Sequence, residues 1–262
     1  MNGNASFIFQ VGLIIATATG GFFYEKWMFL PYILYGVSLL LGTASIWFYK
    51  EPFIDSEKFT FHNYVLQIRQ GSQEAFKNKQ TTTLSLFYIA VAGISWSAAL
   101  YFTDFMMISL VPSNVIRGIF FSLMRLLNIF LIRFVLQNNR IVSESARIVF
   151  FPIIMIIAFL PGFALKGYWG IPFIQAAMIT STARWILLSP LINTVFSSKY
   201  RATAISFLSL LIGFVYIFTT TISAPIITAF GIKTMYSLLG IISCVSVVPL
   251  SFWVLYTRKN LQ

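Results

Sequence analysis

Runs of about twenty predominantly apolar residues, the length of helix that crosses a bilayer core, recur from one end of this sequence to the other. Eight can be delimited: Ser6 to Tyr24, Met28 to Tyr49, Leu84 to Phe105, Asn114 to Leu136, Ile148 to Leu165, Trp169 to Phe196, Ala202 to Phe230 and Thr234 to Tyr256. The connectors between them carry Pro, Gly, Asn and charge, the residues that punctuate secondary structure. Each run is continuous rather than alternating with a period of two, which selects helices over barrel strands. Of 262 residues, 58% are hydrophobic and 10% charged, where a soluble domain carries roughly 25% charged residues. A water-soluble globule of this length cannot hide so much apolar surface. The expected fold class is an all-α integral membrane protein with about eight transmembrane helices, and the lipid bilayer is its first partner.

Charge decides orientation. Threading the eight spans alternately places Lys50, Lys58, Arg69, Lys77, Lys79, Arg133, Arg140, Arg147, Lys199, Arg201, Arg258 and Lys259 on one face. Only Lys26, Arg117, Lys166 and Lys233 fall on the other, and Arg125 and Arg184 lie inside spans. The positive-inside rule then puts both termini in the cytoplasm, in a plasma or inner membrane. The excess of 18 Lys and Arg over 7 Asp and Glu, a formal +11, is accounted for by connectors of this kind and implies no nucleic acid. The first run starts near Ser6 without a basic leader, and it is too long for a signal-peptide core, so it reads as a span.

The stretch from Lys50 to Thr82 breaks the rhythm of short loops and leaves two spans before it and six after. Within it Phe61, Val65 and Ile68 recur at helical spacing among polar residues, as in a helix lying on a membrane surface or a solvated linker with incidental apolar positions. A long cytoplasmic connector followed by six short-looped spans resembles the second half of the major facilitator superfamily, whose two six-helix bundles such a loop joins. Two local patterns add to the resemblance. Asn193 followed by Arg201-Ala202-Thr203 is similar to the junction between the tenth and eleventh helices of the family. Gly12, Ala16, Thr17, Gly20 and Gly21 fall where its antiporters carry a glycine series, with Ala16 and Thr17 standing at the Gly-Pro.

The resemblance implies that residues 1–49 hold the fifth and sixth helices of such a carrier. Residues 50–82 would be the cytoplasmic connector and 83–262 a six-helix C-terminal bundle, the first four helices being missing. It implies secondary transport of a small solute by alternating access, driven by a proton or sodium gradient.

Independently of family, Gly12, Ala16 and Gly20 lie four apart on one helix face, so helices can approach closely there; the face reads as a packing seam or a gate. Pro152, Pro161, Pro190 and Pro225 are hinge candidates within or near spans. Arg125 and Arg184 carry the strongest functional signal, because a guanidinium deep in lipid is costly unless a wet cavity or a partner receives it. Arg125 shares a helix face with Ser122 and Asn128, and Arg184 one with Thr180 and Ser181. No central carboxylate neutralises either; the missing helices or an anionic solute can supply the charge. The competing reading makes Arg184 structural, binding carbonyls near Asn193 and Arg201. Tyr88, Ser95, Trp96 and Gln175 are further cavity-lining candidates.

Enzymatic readings fail on inventory. His62 is the single histidine and Cys244 the single cysteine, so neither a nucleophile–histidine pair within a span nor a His or Cys metal centre is expected. No GxxxxGK phosphate loop occurs. The expectation is a non-enzyme without cofactor or metal. A fragment of a secondary carrier stands first, and a non-transporting membrane partner or regulatory fragment is the alternative.

Overall fold

The computed structural model describes residues 3–48, 60–132 and 143–259. Lys50, Lys58, Arg133 and Arg140 of the expected basic face lie outside them. Among the described residues the chain is all-helical, without a strand. The helices are α1 (Gly3–Lys26), α2 (Leu30–Ile46), α3 (Phe61–Ala75), α4 (Lys79–Ser97), α5 (Thr103–Leu110), α6 (Asn114–Phe130), α7 (Glu144–Phe159), α8 (Ile171–Ala183), α9 (Ser189–Val195), α10 (Arg201–Phe230) and α11 (Ile232–Lys259).

Five helical runs are long and apolar enough to cross a membrane: Lys79–Leu110, Glu144–Ala164, Gly167–Val195, Arg201–Phe230 and Ile232–Lys259. The shortest has 21 residues, about 32 Å at 1.5 Å per residue, against a hydrocarbon core of about 30 Å. Helices α1, α2 and α6 stand where the first, second and fourth expected runs lie. Of these α2 is a shorter apolar helix of 17 residues.

Local chemistry explains several boundaries. Asn78 caps α4 in a reciprocal pair: its side chain accepts from the Thr81 N–H at 2.9 Å, and the Thr81 hydroxyl accepts from the Asn78 N–H at 3.1 Å. Ser143 caps α7 through the Ala146 N–H, with Glu144 in the first turn where negative charge suits the helix dipole. Between α10 and α11 a single residue, Gly231, turns the chain at φ +81°, a conformation open essentially to glycine.

Two of the long runs are interrupted by π-turns, Ala98–Phe102 between α4 and α5 and Arg184–Leu188 between α8 and α9. In the second, the Ser189 N–H bonds to the Arg184 carbonyl, five residues back. Pro190 follows at once. Lacking an N–H, it cannot bond the Ile186 carbonyl and its ring crowds it, so widening the helix there relieves the clash.

The chain forms two compact units. The first comprises residues 1–64 with 111–126, hence α1, α2 and the start of α6. Here α1 and α6 approach at glycine: a Cβ on Gly21 would lie 2.3 Å from the Asn114 carbonyl oxygen, and one on Gly118 2.5 Å from that of Thr17. Thr17 and Ser122 hydroxyls meet at 2.8 Å across the same seam.

The second unit comprises residues 65–110 with 127–262. Helix α11 packs against α7 and α4, and α10 against α4. Phe87 and Phe151 meet edge to face at 6.4 Å, and Phe159 and Tyr236 at 5.2 Å. All four rings are fully buried. Close approach depends on small residues: a Cβ on Gly240 would lie 2.5 Å from the Leu160 backbone, and Ser237 accepts from the Phe163 N–H and donates to the Leu160 carbonyl.

The connector helix α3 belongs to this unit from Val65 onward. Its buried face is Gly71, Glu74 and Ala75, whereas Phe61 and Val65 are exposed and Ile68 half-buried. Glu74 accepts the Ser197 N–H at 2.6 Å and the Lys77 ammonium at 2.8 Å. Burial pushes its carboxyl pKa up, but the hydrogen bonds from Lys77 and Ser197 outweigh this and hold it below the usual carboxylate value. Gly71 adds a close approach to the Thr203 carbonyl, where a Cβ would sit at 2.8 Å. The connector helix is thereby tied to the turn between α9 and α10.

Candidate functional site

Arg184 is the first residue of the π-turn in the run Gly167–Val195, seventeen residues after its start and eleven before its end. Eleven residues rise about 16 Å, roughly half the thickness of a ~30 Å hydrocarbon core. The side chain is 3% exposed. Its guanidinium carbon lies 4.5 Å from the Trp185 ring centroid and 5.9 Å from that of Trp96. Tyr88 is its electrostatic neighbour. Neither of the two ion pairs among the described residues involves Arg184, and its Nε has no hydrogen-bond partner.

Tyr88, Ser95 and Trp96 come from one side of α4, at spacings of seven and eight residues. Tyr88 and Ser95 are buried, and the Ser95 hydroxyl also lacks a hydrogen-bond partner. Trp96 is half-buried, and its ring lies 5.5 Å from Tyr216 of α10. Indoles stabilise a cation through their faces but offer it no lone pair. The guanidinium therefore keeps its capacity to donate to an anion.

Of the residues expected to share a face with Arg184, Thr180 is fully buried and its hydroxyl donates to the Ala177 carbonyl of its own helix; Ser181 is half-buried. Gln175 donates to Asn128 at 2.5 Å, so two residues singled out separately meet. Arg125 is half-buried, while Ser122 of the same stripe donates to the Ile14 carbonyl in the seam with α1. Asn193 is half-buried, and Arg201 reaches back to the Phe196 carbonyl at 3.4 Å, Ala202 beside it being exposed and Thr203 half-buried.

The small-residue series of α1 divides. Gly12 and Gly20 face open space and Ala16 is exposed, whereas Thr17 and Gly21 make the close packing.

Trp185, Tyr216 and Glu74 escaped the sequence reading. Trp185 gives one signal, its position beside an arginine inside an apolar run; Tyr216 and Glu74 give none, because their partners lie 120 and 123 residues away. No family model, curated protein or solved structure matches the chain significantly.

Proposed function

We propose that the chain is a membrane transport protein that moves a small solute by alternating access, as part of a secondary carrier of the major facilitator type. In this reading its eight apolar helices are the fifth to twelfth of such a carrier, with both termini cytoplasmic and an ion gradient as the driving force. The observation that carries it is Arg184: a buried cation, without an ion pair among the described residues, at a break in a membrane-length helix. Intramembrane charge of this kind marks solute and ion pathways, and discontinuous helices form the midplane sites of secondary transporters. The interpretation of Arg184 as a brace for helix-end carbonyls has less support, since its Nε donates to none.

The test is counterflow of labelled sugars, organic acids and organic cations in proteoliposomes holding the chain. Flux of at least one solute is expected, reduced at least tenfold by Arg184→Ala with the protein still in the membrane. Flux that Arg184→Ala leaves intact removes the arginine from the pathway, and no flux for any solute rejects transport by this chain. A second reading, a non-transporting membrane partner, rests on α2, which packs against α1 and has no buried residue, leaving most of its surface to other helices or lipid.

A further inference from the structure

The environment of Arg184 also narrows what is bound, an inference that rests on the transport reading of the same site. We infer that Arg184 receives the carboxylate of an organic acid whose apolar body lies toward Trp96 and Tyr216. Three observations converge. First, the guanidinium is buried within a membrane-length run with no carboxylate paired to it among the described residues, and an unpaired buried charge is among the costliest features a fold can keep. An anion relieves that cost only while bound, so affinity and stability are linked.

Second, the neighbouring groups favour an anion over other ligands. The rings of Trp185 and Trp96 stabilise positive charge and accept no hydrogen bond from it, so the planar fork stays available to the two oxygens of a carboxylate. A cationic solute would meet repulsion, and a neutral one would leave the charge uncompensated. Third, polar and apolar functions are separated. The buried Ser95 hydroxyl, without a partner, adjoins Trp96 in sequence, while the half-buried Trp96–Tyr216 ring pair supplies an apolar wall. This pattern suits a ligand with one charged end and a planar or apolar remainder.

The two indoles beside Arg184 make its occupancy readable. Sodium benzoate is titrated against the purified chain in phosphatidylcholine nanodiscs while tryptophan fluorescence is followed, with benzamide, benzylamine and inorganic phosphate as comparisons. A saturable change is expected with benzoate, at least tenfold weaker with benzamide and absent with benzylamine. Phosphate binding as tight as benzoate would show that the site reads charge without an apolar body and would overturn the assignment. Arg184→Gln should weaken benzoate at least tenfold, Arg184→Lys less, and Trp96→Phe should shrink the signal.

Arg184→Met, which removes the buried charge, should raise the melting temperature in benzoate-free buffer by about 2–4 °C, where a structural arginine would lower it. Benzoate binding that Arg184→Gln leaves unchanged, or no binding by wild type, overturns the proposal. Flux of a neutral or cationic solute that survives Arg184→Gln overturns it while leaving transport standing. Benzoate binding through Arg184 without flux of any solute leaves the anion site standing and rejects transport.

Discussion

At position 184 the chain keeps a cation where a methionine or leucine would pack more cheaply, and at position 74 it keeps an anion for a different reason. Glu74 is the buried carboxylate of α3, and the N–H of Ser197 points at it. Because the folded protein holds its pKa below the ordinary value of 4.5, ionised Glu74 stabilises the fold. That stabilisation is complete above the ordinary carboxylate range and disappears as pH falls through the lower native value. Glu74→Ala should therefore cost about 1.5–3 kcal/mol at neutral pH, as for hydrogen bonds to a charged group, and progressively less as pH falls through the lowered native pKa, where wild type loses the same contribution. Glu74→Gln keeps an acceptor for Ser197 and should cost less than Ala. Thermal unfolding in detergent between pH 3 and 7 checks this; equal losses at both ends would refute it. Arg184 stood out in the sequence because charge within an apolar run is rare, whereas Glu74 looked like one polar residue among many in a connector.

The same contrast holds for elements. Hydropathy located the helices because lipid demands long apolar stretches, and the placement of α10 and α11 follows closely from it. The π-turns were not legible, since a widened turn needs only one carbonyl displaced and leaves composition unchanged; Pro190 was the single hint at one of them. Helix seams were half-legible. Small residues on α1 announced close approach, but which of them touch depends on helix rotation, and the contact fell on Thr17 and Gly21 rather than Gly12 and Gly20. Glycines in contact and glycines in open space should respond oppositely. Gly240→Ala must push against the Leu160 backbone and should cost about 1–3 kcal/mol. Gly213→Ala in α10, with nothing within 4 Å of the added methyl, should gain about 0.5–1 kcal/mol. A matched pair of melting curves decides it, and similar shifts for the two would count against the packing described for α11.

For the whole molecule, the all-helical class and its apolar surface were contained in the sequence, while the division into units was not. Helix α3 joins the second unit from Val65 onward and buries Gly71, Glu74 and Ala75, through contacts between residues far apart in the chain that loop length does not reveal. The proposed topology of eight spans makes its own prediction. Reporter fusions at His62, Lys199 and Lys259 should report the cytoplasm, and fusions at Lys26, Lys166 and Lys233 the opposite side. Two neighbouring fusions reporting the same compartment would remove a span from the count.

The junction at Gly231 has a mechanical consequence. Helices of 30 and 28 residues are joined there by one residue held at φ +81°, which leaves no slack for one to slide along the other. The joint therefore keeps the adjoining ends of α10 and α11 together, and in the proposed transport cycle the widened turns at 98–102 and 184–188, where the regular hydrogen-bond ladder is interrupted, are where the long runs would bend. If the chain transports as proposed, a covalent staple across the Gly231 junction should leave solute movement unimpaired, whereas staples that immobilise either widened turn should arrest it; the reverse pattern would place the bending at Gly231.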